Sequence, residues 1–258
     1  MKIKRIILFF LLVNLCFLFS SCNFSFSNNY EAGYEAGYNA GYEVGREEEK
    51  YEYEFESDGT VKIIQRENYH KEDTVITVPE TIQGAPVSVL GKDAFYKYGD
   101  AISIILPDSL TTIEGNSFFR CESLKEINIP KNVSAILDNP FWRCDSLENI
   151  TVDSGNEYFC DVDGVLFNKD KTVLITYPEG RTDESYTVPE TVVSLTTDPF
   201  GFRTKLKYVT ILSNVTEFPE NIMFDFVEEE ITLFVEAGSA AEQYAIEYGI
   251  NYEIIERE

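Results

Sequence analysis

The chain has 258 residues, with 45 acidic side chains against 21 basic ones and a formal charge of −24 at pH 7. That balance opposes binding to nucleic acid or to anionic lipid surfaces, both of which attract basic proteins. A single histidine, His70, excludes His-rich zinc ligation and leaves no choice of base for a serine or cysteine nucleophile.

The N-terminus reads as an export signal. Lys2, Lys4 and Arg5 precede an apolar run from Ile6 to Phe19, and Ser20 and Ser21 lead to Cys22. A basic start, a short apolar stretch and a small-residue exit make a secretory signal over residues 1–21, too short for a comfortable transmembrane helix. Its end resembles a bacterial lipobox, with Phe19 in place of the usual leucine and Leu18 one position earlier. Lipidation at Cys22 is expected, with ordinary signal-peptidase cleavage as the alternative. Several acyl chains hold a protein at a membrane where one is marginal. Loss of residues 1–21 removes three basic side chains and no acidic one, taking the charge from −24 to −27.

Residues 22–50 read as a tether. Tyr30-Glu31-Ala32-Gly33 is echoed at Tyr34, Tyr38 and Tyr42, each three residues ahead of a glycine. On a helix, period 4 would keep the tyrosines on one slowly drifting stripe, a conceivable self-association face. Each glycine costs a helix about 1 kcal/mol, which favours a semi-flexible stalk. Glu47, Glu48 and Glu49 mark its solvated end.

From Tyr51 to Gln65 two alternating runs flank Asp58-Gly59, a hairpin turn pair. A repeat then takes over. Ile104-Ile105-Leu106-Pro107 with Phe118, Cys121 and Leu124 is followed 23 positions later by Ile127-Asn128-Ile129-Pro130 with Phe141, Cys144 and Leu147. Counting from the proline, apolar residues stand at minus 3, minus 1, plus 3, plus 6, plus 11 and plus 17. Pro189 has the same company, and Pro79 has it up to Ile82, beyond which the register slips through Gln83 to Pro86 and resumes at Leu90 and Phe95. Copies without the proline follow at Val209 and Ile231, about six coils in all.

A fixed period of this length means one unit stacked on copies of itself, because a single unit cannot bury its apolar face alone. Period-2 alternation at minus 3 and minus 1 predicts a short strand, and stacked strands build a parallel sheet along one face. Proline suits the strand exit, since it lacks an N–H. Spacing by three among Phe, Cys and Leu predicts helical or 3₁₀ turns on the opposite wall. The hairpin caps one end. At the other, Ser239, a helix from Ala240 to Tyr248, Gly249 and a strand from Ile250 to Ile255 form an α/β cap. Both caps are expected to seal the sheet edges.

Within the array, Asp161-Val162-Asp163-Gly164-Val165-Leu166 matches the opening of haloacid dehalogenase-like phosphatases. That chemistry needs a buried apolar strand ahead of the first aspartate, and Asn156-Glu157-Tyr158-Phe159-Cys160 is not one. A hairpin of Gly164 to Phe167 against Thr172 to Thr176 fits better, and Thr172 where an EF-hand needs glutamate argues against calcium. No catalytic pair stands out, and no cofactor or metal is called for. Cys121 and Cys144 share a slot in adjacent coils, close enough for a disulfide, although that slot faces a core where free cysteine packs as a small hydrophobe. Trp142 reads either as a surface aromatic or as a core extension.

These slots resemble the BspA-type leucine-rich repeats of bacterial surface proteins over about residues 51 to 255, with Tyr98 and Arg203 replacing the cysteine and Ala101 the leucine. The resemblance implies a leucine-rich-repeat solenoid over residues 51–258, on an exported lipoprotein of the outer membrane or cell surface. It further implies attachment to host matrix proteins or to other microbes. The outward strand residues Asn128, Asn149, Thr151, Tyr208 and Thr210 are the candidate ligand face. The alternative is a structural lipoprotein that assembles with other envelope components.

Overall fold

The computed structural model describes residues 51–65, 73–201, 204–219 and 231–256. The expected signal, Cys22 and the tether lie outside those residues, as do His70 and Arg203. The chain opens on an antiparallel hairpin, β1 (Glu52–Phe55) with β2 (Val61–Ile64). The Asp58 carboxylate ties its turn by accepting from the Thr60 N–H at 2.9 Å and the Thr60 hydroxyl at 2.7 Å.

Seven short strands follow in the coils, β3 (Val75–Thr77), β4 (Thr81–Ile82), β5 (Ala85–Leu90), β6 (Ser103–Ile105), β7 (Thr112–Ile113), β8 (Glu126–Ile129) and β9 (Ala135–Ile136), and then β10 (Asn149–Val152). Strands β3, β6 and β8 each run up to a proline, and β10 takes the same place in the next coil. The four stack in parallel as one sheet. Ile104, Ile127, Ile129 and Ile150 point into the core, as the alternation requires. The sequence reading placed one sheet along one face. A second, narrower ladder runs β2-β5-β7-β9 in parallel, with β4 folded antiparallel onto β5.

The third wall is built from turns. Cys121 N–H donates to Phe118 O at 3.0 Å and Leu124 N–H to Cys121 O at 3.1 Å, the three-residue spacing of a 3₁₀ turn. Phe95 stacks on Phe118 at 5.6 Å and Phe118 on Phe141 at 5.2 Å, ring planes within 8°. Cys121 and Cys144 are buried free thiols. Each reaches back one coil, Cys121 Sγ to Phe95 O at 3.3 Å and Cys144 Sγ to Phe118 O at 3.2 Å. Of the two pairings left open by the sequence, the unbridged one is found.

After β10 comes an antiparallel meander, β11 (Phe159–Val162), β12 (Val165–Asn168) and β13 (Val173–Thr176). The hairpin of β12 and β13 follows the sequence reading, whereas β11 is additional. Asp163 at φ 49° and Gly164 at φ 79° turn β11 into β12, both central residues having the positive φ of a type I′ turn. The chain then resumes coiling with β14 (Ser185–Thr187), β15 (Ser194–Leu195), β16 (Tyr208–Ile211) and β17 (Thr232–Glu236), and closes with α1 (Ala240–Tyr248) and β18 (Asn251–Ile255). Strands β14, β16, β17 and β18 form a second four-stranded parallel sheet, and β13 pairs parallel with β15. Among the described residues the coils therefore number about eight rather than about six, because the hairpin coil and the closing segment each add a rung.

Ser239 Oγ accepts from Glu242 N–H at 3.1 Å to start α1, and Gly249 at φ 67° ends it. The expectation that the caps seal both edges is corrected. Among the described residues, strands β1 and β18 are the outer strands of their sheets, and Tyr252 and Ile254 on β18 stay 36% and 46% exposed. The closing strand adds a rung to the ladder instead of folding across its end.

Candidate binding face

Strand pairing fixes which outward residues are neighbours. On the first sheet one row runs Val75, Ser103, Glu126, Asn149, and the next runs Thr77, Ile105, Asn128, Thr151. Thr151 Oγ1 donates to Asn128 Oδ1 at 3.2 Å and to Ile127 O at 3.4 Å, which ties two of the predicted residues together. Asn149 lies on the same sheet in the adjoining row. On the second sheet the rows are Ser185, Tyr208, Thr232, Asn251 and Thr187, Thr210, Phe234, Glu253, so Tyr208 and Thr210 share one side of β16.

The predicted residues thus form two groups and not one continuous face. Between β10 and β14 the ladder is interrupted by the meander. Ile150 N–H donates to Gly164 O at 2.9 Å, so the tip of the β11–β12 turn fills the rung that a strand fills elsewhere. A shallow hollow of about 220 Å³ beside it is lined by Glu148, Asn149 and the Arg181–Asp183 segment. Arg181 Nε donates to Asp183 Oδ2 at 2.8 Å and the Tyr177 hydroxyl to the same oxygen at 2.9 Å. The Tyr177 hydrogen bond, then Arg181, holds the Asp183 carboxyl below its ordinary value, while burial pushes the Tyr177 phenol well up and Tyr186 up to about 12.

Across the interruption, the second sheet carries the larger aromatic surface. Tyr208, 43% exposed, stacks with half-buried Phe234 at 5.6 Å and 18°, a diagonal pair on adjacent strands. Ser185, Thr187, Thr210 and Thr232 surround it. Sequence reasoning missed Phe234, although its signal was present: Leu233 and Val235 are buried, so strand alternation sends the residue between them outward. Val75 and Ile105, 56% and 52% exposed, were missed for the same reason on the first sheet.

The D-x-D-G-V-L stretch has a local role. Asp161 Oδ1 accepts from Val152 N–H at 2.9 Å, and Asp163-Gly164 makes the turn. The Asp-Gly pair is itself a strong hairpin signal, and it marks β11.

Residues 60–170 match the BspA type leucine rich repeat region in six copies. Among solved structures, the chain is similar to a leucine-rich repeat protein from Eubacterium ventriosum, at 19% identity over 72% of this chain and 64% of that one, TM-score 0.44. It is similar to a leucine rich cell surface protein from Faecalibacterium prausnitzii at 18% identity over 78% of this chain and 73% of that one, TM-score 0.40. A leucine rich repeat protein of T. pallidum matches at 17% identity over 80% of this chain and 96% of that one, TM-score 0.47. The chain spans under two thirds of the length of the first of these. No curated protein is similar enough in sequence to match.

Proposed function

Since residues 60–170 carry BspA-type leucine-rich repeats, we propose that this chain is an exported lipoprotein, acylated at Cys22, that holds its solenoid at the cell surface to bind a protein of the host matrix or of another microbe. The observation that carries this reading is the Tyr208–Phe234 stack on the outward side of a parallel sheet, ringed by serine and threonine. An aromatic anchor at the centre of a polar surface is the usual composition of a protein-binding hot spot. The polar rows through Asn128, Asn149 and Thr151 supply a second, weaker area on the same scaffold. Strong net negative charge fits a soluble, exposed protein and a partner with basic surface.

The test combines location with binding. Intact cells treated with a non-permeant protease lose the solenoid while a periplasmic control survives, and the released protein is screened against matrix proteins and whole cells. Replacing Tyr208 and Phe234 with alanine weakens capture by about 30-fold or more, the scale of a hot spot of about 2 kcal/mol. Full protection from protease moves the partner to the envelope interior and rejects the adhesion reading.

A further inference from the structure

A cleft of about 450 Å³ opens on the other side of the molecule, where β9 ends its sheet. In earlier coils the residue after the narrow strand bonds back to the coil before it, as Glu114 N–H does to Leu90 O at 2.9 Å and Leu137 N–H to Ile113 O at 2.9 Å. The next strands on this side, β13 and β15, pair with each other and not with β9. Buried Asn139 spans the break, its Nδ2 donating to Asp198 O at 2.9 Å, and the cleft lies over it.

Trp142, Leu137, Lys92, Asn116, Asp138 and Thr197 line the opening. Leu137 is 49% exposed and Trp142 half-buried, so the cleft has an apolar side. Trp142 stands at plus 12, the slot that holds Tyr96 and Phe119 in the two preceding coils, where those rings stack at 5.5 Å. In the coil of Pro189 the same slot is Gly201, which brings no side chain to continue the ladder.

The polar side is unspent. Among the described residues, no hydrogen bond or ion pair engages the side chains of Lys92, Asn116, Asp138 or Thr197. Glu114, also at the rim, is already paired to Lys62 Nζ at 2.6 Å and accepts from Lys92 N–H at 2.9 Å. That leaves one cation and one anion, Lys92 and Asp138, facing an otherwise neutral set of amide and hydroxyl. The volume of about 450 Å³ falls in the range of small-ligand sites.

We propose that this cleft binds a neutral saccharide unit. Vicinal hydroxyls donate and accept at once, which is what an amide, a carboxylate, an ammonium and a hydroxyl held together can satisfy. The C–H face of a sugar ring needs the apolar area that Trp142 and Leu137 offer. Balanced charge gives no preference for an ionic ligand. The site is separate from the outward face of β16 and β17, and holds or fails independently of the proposed protein binding.

Trp142 is the only tryptophan in the chain, so its fluorescence reports on this cleft alone. The full chain in detergent is titrated with cellobiose, chitobiose, lactose and maltose, with a neutral polyol, sorbitol, as the control. A saturable change is expected with at least one disaccharide and not with sorbitol. Asn116 at φ 60° and Asp138 at φ 51° occupy left-handed backbone, so Asn116→Gly and Asp138→Gly remove the side chains without straining the turns. Each is expected to weaken binding at least 10-fold with the circular dichroism spectrum unchanged, and Tyr208→Ala leaves it intact. No saturable response to any of the four disaccharides overturns the proposal. So does a response that survives both glycine variants.

Discussion

At the scale of single residues, the inward slots decide stability. Phe118 is fully buried between Phe95 and Phe141, so Phe118→Ala opens a cavity in the middle of a stack whose neighbours are fixed by their own coils. A loss of about 3–5 kcal/mol is expected in urea denaturation. The cysteines provide a sharper contrast. Cys144 is enclosed, and burial pushes its thiol pKa well up; Cys160 is half-exposed on β11. Burial raises the Cys160 thiol as well, so access decides: native labelling with a maleimide modifies Cys160 and spares the enclosed Cys121 and Cys144, as peptide mass spectrometry can read. These slots could be read from sequence because each inward side chain has one position per coil, and the repetition prints that position several times. Trp142 was ambiguous because its surroundings depend on a break in the array that no local pattern marks.

At the scale of the element, the meander was only half visible. A strand of two residues, as in β7 or β9, contains one inward side chain and cannot display alternation, so the second ladder had no signature. The return of the meander was invisible for another reason. In earlier coils the plus-13 N–H bonds to the next coil's backbone, as Arg120 N–H does to Trp142 O at 2.9 Å. At Arg143 the acceptor is instead the buried carboxylate of Glu179, at 2.8 Å and 36 residues away. A side chain replaces a missing rung, and nothing near Glu179 in sequence announces it. Gly201 at φ 63° passes so close that a methyl group there would overlap the Glu179 carboxylate. Gly201→Ala is therefore expected to cost more than about 1 kcal/mol in thermal or urea unfolding.

The same return carries an alkaline sensitivity. Tyr177 and Tyr186 are packed ring to ring at 4.8 Å, and burial raises both phenols above the ordinary value of 10.0, Tyr186 to about 12. Folding favours the protonated phenol, so its contribution is complete below the unfolded value. Between 10.0 and about 12 the unfolded chain has released its proton while the folded one retains it, and stability falls as pH rises. Urea midpoints measured across this window should decline, and Tyr186→Phe, which removes the ionisable group, should make the decline shallower. An equal slope in the variant would assign the sensitivity to other groups.

At the scale of the whole molecule, the meander divides one solenoid into two cores. Buried residues from Tyr51 to Phe159 pack into a first apolar cluster together with Leu166 and Ile175. Val165, Phe167, Leu174 and Tyr177 belong to the second, which continues through Leu233 to Ala245. Neighbours on β12 and β13 therefore face opposite halves, and these two strands form the joint. A repeat array is stabilised by nearest-neighbour interfaces, and its cooperativity is only as strong as its weakest one. Here that interface has lost the continuous ladder on both sheets, since β10 does not pair with β14 and β9 does not pair with β13. Native-state hydrogen exchange should consequently resolve two protected units that meet at the meander. Leu233→Ala, a fully buried deletion worth about 2–5 kcal/mol, should lower protection on β16 and β17 and leave β6 and β8 near their original values. Leu124→Ala should do the reverse. If either variant lowers protection in both halves by the same factor, the joint transmits the full coupling, and the buried hairpin residues replace the energy of the missing ladder.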